Sequence, residues 1–192
     1  ALFLVWQLWG TGIAAHEKAQ AVKEQFTQTQ VDSPKVAGTK HTDAPPAFTQ
    51  VDYGQAIGML IVPKWYGVTN NNMPVIEGTG EDVLDQAAAG HYTDTQQVGE
   101  VGNFAVAGHR RTYGNNFRYI NHLQNGDQLV VETKDSYIVY EVFNYEIVTP
   151  DQVDVIAPVP NHPEMQPSDR LITLTTCNNG LDTSDYGQYG NS

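Results

Sequence analysis

Only ten of the 192 residues are lysine or arginine, against 22 aspartates and glutamates, and only one, Cys177, is cysteine. Few basic side chains and a formal net charge of −12 argue against nucleic-acid binding, which needs clustered positive charge facing phosphates. The acidity reads as a solubility feature rather than an acidic binding patch. A single cysteine excludes an intramolecular disulfide. The histidines and acidic residues show no ligand spacing, so no metal site and no cofactor are expected. No internal repeat is present. Nor is there a full-length apolar span. The stretch ALFLVWQLWGTGI at 1–13 would reach about 20 Å as a helix, against the roughly 30 Å of a hydrocarbon core.

What is present is enough chain for one domain with a real core, with 40% hydrophobic residues and ten tyrosines. The chain starts at Ala1 and ends in a Gly/Ser/Asn/Tyr-rich stretch, which reads as a fragment at both ends. The apolar start reads as the last part of a transmembrane anchor, in preference to the core of a cleaved signal peptide. HEKAQAVKEQFTQTQ (16–30) holds strong helix formers and no breaker, so 1–30 is taken as an anchor and helical stalk. Residues 31–52 mix Pro, Gly, Thr and Ser without an apolar period and read as a linker. The folded domain is placed at 53–192.

Within it the pattern is mostly strand. IGMLIV (57–62), NFAVAG (103–108), QLVVET (128–133), SYIVYEVFNYEIV (136–148) and LITLTT (171–176) are apolar or β-branched runs, and Lys134-Asp135 suggests a hairpin. Thr79 and Asp82 suggest the start of a short helix running through Ala89 and ended by Gly90. NFRYINHLQNG (116–126) has room for one or two helical turns. Many short strands with little helix make this an antiparallel all-β barrel or sandwich.

Two residues stand out. If LITLTTC is a strand, Leu171, Thr173, Thr175 and Cys177 share one face. Cys177 then ends the strand where Asn178-Asn179-Gly180 open a loop, so its thiol can meet a substrate, although most lone cysteines are buried apolar residues. In GNFAVAGHRRTYG (102–114), Ala105, Ala107 and His109 share a face, and His109 also ends a strand. His16, His41, His91, His122 and His162 read as satisfied surface or core residues.

AVAGHRRTYG resembles the histidine motif of sortases, and TLTTC resembles their Thr-Leu-X-Thr-Cys signature. PKWYGVTNNNMPVIEGTGEDVL (63–84), GHY (90–92), GEVGNFAVAGH (99–109), NGDQLVVET (125–133) and VTPDQVDVIAPV (148–159) are similar to the segments around them. The likeness covers residues 53–192, and the Arg-Arg-Thr-Tyr-Gly tail looks most like class E sortases. It implies a closed, eight-stranded sortase-like β-barrel with short helices, preceded by an N-terminal membrane-proximal helix. It also implies a cysteine transpeptidase with Cys177 as nucleophile and His109 as acid/base partner. Such an enzyme cleaves a C-terminal Leu-Pro/Ala-X-Thr-Gly sorting signal between Thr and Gly and passes the protein to a peptidoglycan-precursor or pilin amine. The catalytic domain is then expected outside the cell, on a single-pass membrane anchor.

The family also uses an arginine on the strand after the cysteine, and no arginine follows Cys177 here. Arg170 precedes the thiol by seven residues, about 23 Å along an extended strand. Arg110 and Arg111 flank His109 but do not match the family's position. The expectation is therefore that the arginine and its strand lie beyond Ser192. A polypeptide ending there would be slower by about 10²–10³ or more for want of an oxyanion donor. Two rival readings are a papain-like hydrolase, whose cysteine normally opens a helix, and a non-catalytic surface domain with a vestigial site.

Overall fold

The computed structural model describes residues 15–25, 43–114 and 116–177. Seven strands are found there: β1 (Ala56–Ile61), β2 (Asn72–Glu77), β3 (Ala89–His91), β4 (Gly102–Ala107), β5 (Gln128–Glu132), β6 (Tyr137–Glu141) and β7 (Arg170–Thr175). They form one sheet in the order β6-β5-β1-β2-β3-β4-β7, curled into a nearly closed barrel. The β2–β3 and β4–β7 pairs are parallel and the other pairs antiparallel. The all-β class read from the strand pattern and the barrel that the resemblance implies are thus the observed fold, but the sheet is mixed rather than antiparallel, because β2–β3 and β4–β7 run parallel.

β1 and β4 are nearly continuous apolar runs and are buried along most of their length. The main core gathers Ile57, Leu60, Trp65, Val75, Phe104, Val106, Phe117 and Val131. Gly58 is needed where β1 crosses β5, because a Cβ there would lie 2.1 Å from the Glu132 carbonyl oxygen. The β5–β6 hairpin is in register from Gln128↔Glu141 to Glu132↔Tyr137.

Two elements differ from the sequence reading, and a third agrees with it. The helix expected from Thr79 to Ala89 is only α2, Glu81–Leu84, preceded by Gly80 with no side-chain cap bond. The Asp82 carboxylate accepts the Tyr53 hydroxyl at 2.8 Å. The chain then turns at Ala87, whose φ is +54°, and Ala89 pairs with Val75 in β3. The run 136–148 stops being strand at Glu141, because its partner β5 begins only at Gln128. Residues 116–126 hold a 3-10 turn at Ile120–His122.

Residues 15–25 are helical (α1). Ala15 and Ala19 pack with Ala87 against Tyr113, and Val22 packs against Ile76, Val83 and Ala88. The proposed anchor at 1–13, the stalk end at 26–30 and the first part of the linker lie outside the described residues. Among the described residues no helix is long and apolar enough to cross a membrane.

The turn into β5 carries a testable charge. Asp127 accepts the Gln124 N–H at 2.6 Å and the Lys64 ammonium at 2.7 Å. Burial pushes its carboxyl up, but these donors outweigh that and hold it below its ordinary value. A lowered folded pKa stabilises the fold above the unfolded value, and the benefit disappears as pH falls through the lowered one. Asp127→Asn is expected to cost about 0.5–1 kcal/mol at about pH 6 and almost nothing at about pH 2.5. Urea unfolding of both proteins at the two pH values measures this.

Candidate active site

β4 and β7 are distant in sequence but lie side by side, in register from Gly102↔Arg170 to Ala107↔Thr175. The pairing continues past both strand ends. The Gly108 N–H donates to the Thr175 carbonyl at 3.1 Å, and the Thr176 hydroxyl donates to the Gly108 carbonyl at 2.7 Å. Carried on by one more residue, this register sets His109 opposite Cys177. Neighbouring strands are about 4.8 Å apart, and Ala107 and Thr175, each two residues before His109 and Cys177, are paired.

Side-chain alternation sorts the two faces. Phe104, Val106, Ile172 and Leu174 pack in or against the core. The other face carries Ala105, Ala107 and His109 beside Thr173, Thr175 and Cys177. The threonines on this face have partners. Thr173 donates to Asn103 Oδ1 at 2.8 Å, and the Thr175 hydroxyl pairs with the Tyr92 hydroxyl at 3.0 Å. Cys177, at the open end, is exposed.

His109 is held from three directions. Its Nε2 lies 2.9 Å from Asp85 Oδ1. The Tyr113 ring leans on it, with centroids 5.1 Å apart and planes at 32°. Its carbonyl accepts the Phe117 N–H at 3.0 Å. The preceding Gly108 has no room for a side chain, since a Cβ there would sit 2.9 Å from the Phe117 ring. Gly108→Ala is expected to destabilise the fold by about 1–3 kcal/mol through this overpacking. Because any relief must move His109 or Phe117, activity should fall more than the stability loss alone would cause. Thermal unfolding and turnover measured on one preparation test both effects.

The Asp85 charge raises the Tyr113 phenol above its ordinary pKa, and burial, a hydrogen bond to the same carboxylate and the Glu81 charge act in the same direction. Neither Asp85 nor Tyr113 is recognisable as a site residue from the sequence. Asp85 falls inside the stretch expected to be helix, and Tyr113 follows His109 as part of a loop.

The other candidates are placed elsewhere. Arg170 starts β7, at the end away from Cys177, and its Nε donates to the Gly99 carbonyl at 2.9 Å. Arg110 Nη2 reaches Asn121 Oδ1 at 3.3 Å, and Arg111 is exposed. The segment after Cys177, and any arginine following it, lie outside the described residues. His91 is a fully buried core residue, as expected. Its Nδ1 lies 2.9 Å from Glu77 Oε2, its Nε2 lies 3.1 Å from the Gln96 carbonyl, and its ring stacks on Phe104.

Comparison with known proteins points the same way. The Sortase domain family model matches residues 62–189. Sortase SrtE1 of Streptomyces coelicolor is 36% identical over 92% of this chain, and sortase SrtE2 of the same organism is 32% identical over 92%. The chain spans about half (48%) of the length of SrtE1 and 69% of SrtE2. Among solved structures, the SrtA sortase of Actinomyces oris is 68% identical with a TM-score of 0.72, covering 74% of this chain and 79% of that one. Sortase E1 of S. coelicolor, solved with a tripeptide in its active site, is 38% identical with a TM-score of 0.59, covering 67% and 81%. A barrel that brings a cysteine and a histidine to the ends of neighbouring parallel strands, matched by this family model over most of its length, belongs to the sortase family.

Proposed function

We propose that this chain is a cysteine transpeptidase in which Cys177 is the nucleophile and His109 the proton carrier. The β4–β7 register, which runs to Ala107↔Thr175 two residues before His109 and the exposed Cys177, supports this reading. Only a thiolate attacks a peptide carbonyl well, and an adjacent imidazole can take the thiol proton. The thiolate adds to the carbonyl carbon and the tetrahedral adduct collapses. The C–N bond breaks as the imidazolium gives its proton to the departing amine. The acyl group remains on Cys177 as a thioester. An incoming amine then attacks, loses a proton to His109 and releases the thiolate.

The sorting signal is Leu-Pro/Ala-X-Thr-Gly, cut between Thr and Gly. The acceptor is an amine of a peptidoglycan precursor or a pilin lysine. The catalytic domain works outside the cell on an N-terminal membrane anchor, where enzyme and both substrates share one surface and reach a high effective concentration. The likeness to class E sortases supports the Ala form of the signal.

The test is a sorting-signal peptide whose scissile Thr carries a vinyl sulfone. The expected result is one adduct on Cys177 that depends on the signal sequence, seen by intact and peptide mass. Labelling that ignores the signal, or no labelling, would favour a non-catalytic surface domain.

A further inference from the structure

The Asp85–His109 contact does more than join two surface groups. Both side chains are only partly exposed, at 30% and 26%. A carboxylate accepts hydrogen bonds and cannot donate them, so Nε2 must carry the proton in this contact. Among the described residues no hydrogen bond reaches Nδ1, which is left for exchange.

The surroundings hold both partners in place. Asp85 follows α2, and its own N–H is bound to the Glu81 and Val83 carbonyls. Ala87, two residues on, turns the chain with a left-handed φ of +54°. Tyr113 is also left-handed, with φ +47°, an uncommon conformation for a bulky residue. That conformation accompanies its ring lying against His109. Behind the ring, Ala15 and Ala19 of α1 and Ala87 form a small apolar cluster. The imidazole thus has a carboxylate on one nitrogen and a backed aromatic ring on its face.

We propose that Asp85 is a positioning residue for transpeptidation, holding His109 as the Nε2–H tautomer so that Nδ1 exchanges protons with the Cys177 thiol and the amines. This rests on the roles given to Cys177 and His109 above. The thiol proton passes from Sγ to Nδ1, and the resulting imidazolium faces the Asp85 carboxylate through Nε2–H. Nδ1–H then protonates the amine nitrogen as its bond to the acyl carbon breaks. In the second half Nδ1 takes a proton from the incoming amine. Asp85 accepts the Nε2–H bond throughout and touches no reacting atom.

The test uses the full chain, labelled with ¹⁵N-histidine, as wild type, Asp85→Ala and Asp85→Asn. Wild type should show a bare Nδ1 and a protonated Nε2 at His109, and Asp85→Ala a mixture of both tautomers. With a sorting-signal peptide, Asp85→Ala should lower kcat about ten-fold and change KM less than about two-fold. The loss is far below the ~10⁴-fold seen for a buried triad carboxylate, because water can replace a group this exposed. Asp85→Asn keeps an acceptor oxygen of the same shape without the charge, so it should keep the tautomer and still lose rate. An Asp85→Ala protein with wild-type tautomer and kcat would overturn the inference. If that variant does not fold, wild-type kcat in Asp85→Asn would do so. Signal-dependent labelling of Cys177 is read in parallel. If it persists in the wild type while the Asp85 variants behave as wild type, only the positioning role falls. If it is absent from the wild type, the reading beneath it falls too.

Discussion

Cys177→Ala is expected to lower transpeptidation at least about 10⁴-fold, with no thioester detectable by mass. The size follows from the chemistry. Removing an orienting group leaves the covalent route open, but removing sulfur closes it, and no second cysteine exists to replace it. Binding of the sorting signal should survive, because the neighbouring threonines keep their Asn103 and Tyr92 partners. The fold should survive as well, since Cys177 is exposed and lies two residues past the end of β7. The combined expectation is intact peptide affinity, unchanged thermal unfolding and no turnover. Undiminished transpeptidation would remove Cys177 from the mechanism.

Glu77→Ala is expected to cost about 3–5 kcal/mol of stability without touching any reacting group. Glu77 and His91 end β2 and β3 and face each other across the parallel pair. Both are buried, and His91 Nε2 also faces the Gln96 carbonyl. Alanine would leave His91 Nδ1 without an acceptor in the core and open a cavity beside it. Replacing both residues by apolar ones of similar volume should cost much less, because no polar atom is then stranded. Urea unfolding followed by Trp65 fluorescence suits the measurement, as that indole lies in the same core. A loss below about 1 kcal/mol for Glu77→Ala would mean that the pair is not a buried hydrogen-bonded unit.

Local pattern brought Cys177 and His109 into view at strand ends, and the sortase resemblance singled them out as a pair. Alternation along 171–177 and 102–109 determines which face Cys177 and His109 share with their neighbours, and loop residues after each mark the strand ends. Parallel pairing between the two strands is a long-range fact that no local pattern contains, and the strand pattern alone suggested antiparallel neighbours. The Asp85 contact to the imidazole was hidden for a different reason. Asp85 comes from a turn after a helix of one turn, where Thr79 and Asp82 imitate a capping signal that the structure does not use. Ala88-Ala89-Gly90 reads as the end of that helix. It forms β3 instead because packing overrides propensity there. Gly90 passes so close to the Gly78 carbonyl that a Cβ would lie 2.3 Å from its oxygen. In β6 the error is the reverse. Val and Tyr continue through 142–148, but the last backbone bonds to the facing segment are those of Val142 with Gly126 and Asp127, leaving Phe143, Tyr145 and Ile147 exposed.

The most direct measurement is to put a second thiol where the imidazole stands. His109→Cys, oxidised mildly, is expected to close a disulfide with Cys177, because opposed residues on neighbouring strands fall within the roughly 4.4–6.8 Å Cα separation that such a bond spans. Intact mass should fall by two hydrogens, and a thiol count should drop from two to none. Two thiols still free after oxidation would mean that the ends of β4 and β7 do not bring these positions together.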